Sequence, residues 1–110
     1  MHITYLLVTV CARSTYNFSS FFCSGVFSDY AEFCFKTYGD RVKNWFTFNE
    51  PRIVAALGHD TGTDPPNRCT KCAAGGNSAT EPYIVAHNII LSHATAVDRY
   101  RNKFQVFSFY

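Results

Sequence analysis

Apolar residues recur at helical spacing in the first half of the chain, between residues 27 and 38. They lie three or four positions apart and form one stripe, which consists of Phe27, Tyr30, Ala31, Cys34 and Tyr38. Ser28 can cap the start of this segment, while Asp29 and Glu32 complement the dipole of a helix that begins there. Gly39 follows as a C-terminal cap. The pattern predicts a helix over residues 27–38.

A second, longer helical pattern follows Thr80, which can act as its N-cap. This helix is predicted from Glu81 to about Phe104, and Pro82 is tolerated in its first turn. The predicted inner face consists of Tyr83, Ala86, Ile90, Ala94, Val97 and Phe104.

Between the two helices, Val42 to Phe48 is rich in aromatic and β-branched residues, which predicts a buried strand. Pro51 has no N–H to donate and ends the strand. Helix, turn and strand in this order form one half of an α/β repeat. Asn49 and Glu50 follow the strand directly, where α/β barrels place their catalytic side chains.

The segment after Pro51 divides into a short apolar part and a long loop. The apolar residues 52–57 are predicted to form a helical turn. Residues 58–80, which are rich in Gly, Pro and Asn, are predicted to form a loop. Loops of this length without secondary structure are often functional.

Composition excludes some function classes. The formal net charge is only +2 and the basic residues form no run, which argues against nucleic-acid binding. The apolar run Tyr5 to Val10 is too short to cross a bilayer, so no membrane role is predicted. The hydrophobic content of 47%, with eleven Phe residues, is enough to form a core.

The five cysteines include at least one without an intramolecular partner. Cys34 lies on the predicted apolar stripe, where a buried thiol is expected. Cys69 and Cys72, together with three histidines, also allow a small zinc-bearing or disulfide-bearing interaction module. Zinc normally takes four ligands at close spacing. His87 and His93 are six positions apart and fall on different helical faces, which weakens this alternative. His87 is expected at the edge of the core, bonded to backbone.

Several separated blocks give the chain a recognisable family pattern. They occupy residues 29–35, 39–45, 47–51 (Thr-Phe-Asn-Glu-Pro), 76–83, 86–88 and 91–94. In this order and spacing they resemble the plant members of glycoside hydrolase family 1, the β-glucosidases. The resemblance covers residues 27–105, a minor part of that family's usual domain.

The resemblance implies an α/β fold of a specific kind. The family fold is a (β/α)8 barrel, which needs about 250 residues. Residues 27–105 are therefore expected to form a partial barrel of roughly two strand–helix units around the fourth strand. Residues 1–26 and 106–110 fall outside the resemblance, and we interpret them as mis-predicted sequence at the two ends of a truncated gene model. For residues 1–26 a weak signal peptide is the other reading.

The resemblance also implies a site. Glu50 corresponds to the acid/base of a retaining mechanism, Asn49 to a ligand of the sugar 2-hydroxyl, and Ile53 to the aglycone side. Burial among Trp and Phe is expected to raise the pKa of Glu50 toward the range of a general acid. No metal or cofactor is implied. Cys69 and Cys72 are expected to form a loop disulfide, which suggests the secretory pathway, extracellular or vacuolar.

One part of the family's machinery is missing from this sequence. The nucleophile lies in an Ile/Val-Thr-Glu-Asn-Gly motif, which does not occur here. The other glutamates, Glu32 and Glu81, stand at predicted helix starts, where a structural role suffices. Retaining hydrolysis needs two carboxyl groups about 5–5.5 Å apart. We therefore predict that the isolated chain does not hydrolyse β-glucosides.

Overall fold

The computed structural model of the protein describes residues 22–42 and 44–105. It contains helix α1 (Phe22–Tyr38), a π-helix (Ile53–Thr61) and helix α2 (Glu81–Lys103). The expectations for the Tyr5 to Val10 run and the tail of residues 106–110 lie outside the described residues.

Helix α1 ends as predicted but begins earlier. It ends at Tyr38, and the N–H of Gly39 still donates to the Phe35 carbonyl over 3.0 Å. The predicted cap at Ser28 is wrong, because Ser28 lies inside the helix and its hydroxyl bonds the Ser24 carbonyl at 2.6 Å. Cys34 is buried, as predicted from the apolar stripe.

Glu32 also lies inside α1 and not at its start, and its partners are cations. Its carboxylate pairs with Lys36 one turn later at 2.9 Å, and with Lys103 and Arg99 of α2 at 2.9 and 3.1 Å. Hydrogen bonds from Lys103 and Lys36 lower the pKa of Glu32 to about 2. This carboxylate is a structural link between the two helices.

The predicted strand at residues 42–48 is absent from the described part of the chain. Residues 44–48 run without helix or strand pairing, and the described residues contain no strand anywhere. A strand is defined by a ladder of hydrogen bonds to a neighbour. The described residues contain only helices beside this segment and no second extended segment. Its apolar side chains, Trp45 and Phe48, therefore pack against the helices instead of lying in a sheet.

Helix α2 has the predicted length but buries a different face. Its N-cap, Thr80, makes no side-chain capping bond. Tyr83 and Ile90, assigned to the inner face, are 74% and 65% exposed. The buried positions are instead Val85, Asn88, Ile89, Ser92 and Ala96. The prediction followed the largest apolar residues, whereas the contact with α1 uses small ones.

Two apolar clusters hold the fold. The first packs Phe27, Ala31 and Phe35 of α1 against Ala96 of α2. The second packs Ala55 of the π-helix against Val85 and Ile89 of α2. Phe48 packs against both clusters. Through Phe48, the extended segment of residues 44–48 therefore contacts both clusters.

The segment predicted as a short helical turn is longer and of a rarer type. It continues to Thr61 as a π-helix and ends at Gly62, whose φ of +69° is left-handed. A side chain at Gly62 would clash with the sulfur of Cys72. The loop therefore spans residues 62–80. π-Helical turns occur often at functional sites.

Large apolar side chains are exposed on both long helices. Phe33, Tyr83 and Ile90 are more than half exposed. Neither α1, α2 nor the π-helix is long and apolar enough to cross a bilayer.

Candidate active site

Asn49 and Glu50 lie side by side at the end of the extended segment. Both side chains are exposed. The carbonyl of Glu50 accepts a hydrogen bond from the Ile53 N–H at 2.8 Å and so begins the helical stretch that follows. Glu50 has a φ of +45°, which is uncommon for a residue with a side chain. Such strain costs about 1–3 kcal/mol and is concentrated at functional sites.

The segment that leads to this turn is fixed by aromatic contacts with α1. Trp45 packs edge-on against Phe35, with ring centroids 4.9 Å apart. Phe48 stacks on Phe27 at 4.4 Å. These contacts place the backbone immediately before Asn49 on the surface of α1.

One hydrogen bond ties the same segment to α2. The hydroxyl of Thr47 lies 2.8 Å from Nδ1 of His93, across 46 residues of sequence. The apolar pattern of the sequence gave no reason to pair these two residues.

The expected burial of the Glu50 carboxyl is wrong for the described structure. The aromatic rings of Trp45 and Phe48 turn toward the helices, and the carboxyl stands in solvent. Ile53 is half-buried at the start of the π-helix. The turn therefore brings Asn49, Glu50 and Ile53 into one short stretch, and a pocket around the carboxyl would need walls from beyond these residues.

An apolar groove of about 650 Å³ runs beside this turn, between the π-helix and α2. Its lining includes Phe48, Pro51, Ala55, Ala86 and Ile90. Neither Asn49 nor Glu50 lines it. The groove continues the exposed apolar face of α2 and contains no part of the candidate catalytic pair.

A polar cluster anchors the other end of the π-helix. Arg68 donates two hydrogen bonds to the Glu81 carboxylate, at 2.7 and 2.9 Å. His59, which is 3% exposed, has its Nδ1 3.6 Å from the same carboxylate, too far for a hydrogen bond. The bond from Arg68 lowers the pKa of Glu81. Glu81 is therefore structural, as its place at a helix start predicted.

Burial lowers the pKa of His59 below its ordinary value of 6.5, although the Glu81 carboxylate opposes this shift. A lowered histidine pKa means that the folded state prefers the neutral ring. Its contribution to stability is complete above about pH 6.5 and is lost as the pH falls through the folded-state pKa.

In an NMR titration of the 110-residue chain, we expect the His59 ring to titrate below pH 6.5. Glu81→Gln should lower that midpoint further, because the carboxylate that favours the protonated ring is removed. The reference is the ordinary histidine pKa of about 6.5. A midpoint for His59 at or above that value would contradict the assignment.

The loop between the π-helix and α2 is closed by the expected disulfide, Cys69–Cys72. Ser78 and Thr70 exchange two hydrogen bonds between backbone N–H groups and side-chain oxygens, at 3.0 and 3.1 Å. The zinc alternative fails here, because both of its thiols are consumed by the disulfide. Within residues 22–42 and 44–105, no three His, Cys, Asp or Glu side chains come together.

His87 is exposed, so its expected place at the edge of the core is wrong. The buried face of α2 passes through its neighbours Asn88 and Ile89 instead. Sequence reasoning missed the Thr47–His93 pair and the His59–Glu81–Arg68 cluster. The burial of His59 could not be predicted from the pattern of apolar residues, because histidine is not an apolar residue.

The sequence model of glycosyl hydrolase family 1 matches residues 17–107. Among curated proteins, Beta-glucosidase 1 of Oryza sativa subsp. japonica is 77% identical over 79 residues, which cover 72% of this chain and 15% of that protein. Beta-glucosidase 44 of Arabidopsis thaliana is 66% identical over 82 residues, covering 72% and 16%.

Among solved structures, a rice β-glucosidase mutant in a covalent complex with Glc superposes with a TM-score of 0.77 at 45% identity. The match covers 80% of this chain and 19% of that one. This chain spans only about 15–16% of the length of the curated relatives it matches. A family match over most of the chain, in both sequence and fold, shows that the chain belongs to glycosyl hydrolase family 1.

Proposed function

We propose that this chain supplies the acid/base region of a retaining β-glucosidase, the part of a (β/α)8 barrel around its fourth strand. The observation that carries this proposal is the strained turn that presents Asn49 and Glu50 side by side. It follows a segment that is packed on two helices, so the pair is held by the fold. The similar rice enzyme in covalent complex with Glc supports a mechanism through a glycosyl-enzyme.

Glu50 acts twice in this mechanism. Its protonated carboxyl donates the proton to the glycosidic oxygen as the bond to the anomeric carbon breaks and a second carboxylate bonds that carbon. Its carboxylate then takes a proton from the water that attacks the same carbon, and the glycosyl-enzyme bond breaks. The substrate class is a β-glucoside.

Asn49 and Ile53 act on the substrate from either side of Glu50. The amide of Asn49 hydrogen-bonds the sugar 2-hydroxyl, a contact that strengthens in the transition state. Ile53, on the first turn of the π-helix, lines the aglycone side. An apolar side chain there suits an aglycone with an apolar surface.

The second carboxylate must come from elsewhere in a complete family enzyme. Within this sequence, Glu32 is bound to three cations and Glu81 to Arg68. Both carboxylates are therefore already held by cations, one on α1 and the other at the start of α2. A protein of these 110 residues alone would therefore carry half of the mechanism.

The test uses a grafted enzyme, in which residues 27–105 replace the matching segment of rice Beta-glucosidase 1. We expect the grafted enzyme to hydrolyse aryl β-glucosides and the 110-residue chain to show no activity above background. The identity of 77% over the segment favours folding of the graft. A folded but inactive graft, or activity in the isolated chain, would contradict the proposal.

A further inference from the structure

We propose that Thr47 and His93 form a positioning pair that fixes the turn carrying Asn49 and Glu50. This inference rests on the proposed function of that turn. Neither residue touches the reacting atoms in this role. They act through the backbone between Thr47 and Glu50.

The pair joins two elements that are distant in sequence. The Thr47 hydroxyl and His93 Nδ1 are 2.8 Å apart, within hydrogen-bond range. Thr47 is half-buried two residues before Asn49, and His93 lies on the exposed side of α2. Both residues line the groove of about 650 Å³ and a neighbouring one of about 440 Å³. The bond therefore borders both grooves.

A directional bond supplies what the apolar contacts of this segment lack. Phe48 and Trp45 press the segment against α1, but stacked and edge-on rings tolerate sliding along the helix surface. Among the described residues, no strand pairs with residues 44–48, so no ladder from this part of the chain fixes their register. A hydroxyl–imidazole bond falls off steeply with distance and angle, so it fixes the position of Thr47 along α2.

The strain at Glu50 makes such an anchor necessary. A residue with a side chain keeps a φ of +45° only when its surroundings hold it there. On one side, the Glu50 carbonyl is held by the Ile53 N–H. On the other side, the anchor nearest to Glu50 among the hydrogen bonds of the described residues is Thr47. Loss of that anchor lets the turn relax and moves the carboxyl.

The pairing does not depend on the charge of the ring. The hydroxyl can donate to an unprotonated Nδ1 or accept from a protonated one. The pair is therefore a fixed support and not a pH switch.

Thr47→Val in the grafted enzyme removes the hydroxyl and keeps the shape. We expect kcat to fall about tenfold and KM to stay within about twofold, because displaced catalytic groups affect the transition state more than ground-state binding. The loss should be greater for aglycones that are poor leaving groups, which depend most on proton donation. Thr47→Ser restores the hydroxyl and should recover most of the rate.

Two histidines of α2 give a matched comparison. Both His93 and His87 are exposed, but only His93 bonds Thr47. His93→Leu should reproduce the Thr47→Val loss, whereas His87→Leu should leave kcat unchanged. The double variant Thr47→Val/His93→Leu should be no worse than either single variant, since both break one bond.

The outcomes separate this inference from the proposed function. If Glu50→Gln removes activity while Thr47→Val and His93→Leu leave kcat and its leaving-group dependence unchanged, the positioning pair is wrong and the function stands. If Glu50→Gln has no effect, both are wrong. Should Thr47→Val fail to fold, His93→Leu decides the matter alone. A rate loss in Thr47→Ser equal to that of Thr47→Val would also overturn the inference.

Discussion

Glu50→Gln in the grafted enzyme is expected to lower kcat about a thousandfold for alkyl β-glucosides, within the range that general acid–base catalysis supplies. An alkoxide is a poor leaving group, so under the proposed function its departure requires a proton from Glu50. Glutamine has nearly the same shape but cannot donate that proton. A nitrophenolate leaves without one, so the first step on nitrophenyl glucosides should be affected far less.

Steady-state and burst kinetics on the two substrate classes would measure this contrast. The chain offers a matched control in Glu32→Gln, which removes a carboxylate that binds Lys36, Lys103 and Arg99 and has no role in the reaction. This control should keep kcat and show only a change in thermal stability. An equal loss in the rate of the first step on both substrate classes would argue that position 50 supports the fold and does not donate a proton.

Phe35→Ala is expected to cost about 3–5 kcal/mol, the usual cost of removing a buried aromatic ring from a core. The ring of Phe35 lies in contact with Trp45, Tyr100 and Phe104, with centroid distances of 4.9, 5.0 and 5.5 Å. Its removal takes away the surface on which both α2 and the segment before Glu50 pack. A loss of this size approaches the whole stability of a small domain.

The 110-residue chain itself can report this loss through near-ultraviolet circular dichroism and urea titration. Phe33→Ala is the control, since Phe33 lies on the same helix and is 58% exposed. It should change stability by no more than about 0.5 kcal/mol, as surface substitutions usually do. Similar midpoints for the two variants would mean that the α1–α2 contact does not support the fold.

The sequence predicted those features that depend on neighbours in the chain. The end of α1 at Gly39 and the extent of α2 follow from local caps and periodicity, and the structure confirms both. The buried Cys34 follows from the same periodicity. The start of α1 was not predictable, because Ser is a residue type typical of helix caps. In the structure Ser28 lies inside the helix and its hydroxyl donates to the Ser24 carbonyl.

Features that depend on distant partners were not predictable in this way. Ile90 is larger and more apolar than Ser92, yet Ser92 is the buried one, because Ser92 shares the buried face of α2 with Ala96, which packs against α1. The segment at residues 44–48 has the composition of a strand but has no neighbouring strand among the described residues. Composition shows which secondary structure a segment can adopt, and the neighbouring elements determine which one it adopts.

In the candidate site, too, features set by neighbours in the sequence were predictable and features set by distant partners were not. The Thr-Phe-Asn-Glu-Pro block located Asn49 and Glu50 because family motifs are local. The bond between Thr47 and His93 crosses 46 residues and has no local signature. The left-handed backbone at Glu50 was equally hidden, since glutamate is not a residue type that marks such turns.

The crossing of α1 and α2 is joined by two hydroxyl groups that would each keep a partner if the helices moved apart. Ser28 and Thr95 lie 2.6 Å from one another, but Ser28 also bonds the Ser24 carbonyl and Thr95 the Leu91 carbonyl of its own helix. Breaking the contact between these two hydroxyls therefore costs little, because each keeps a carbonyl partner in its own helix. The crossing is held instead by the packed aromatic rings and by the two α2 cations that bind Glu32.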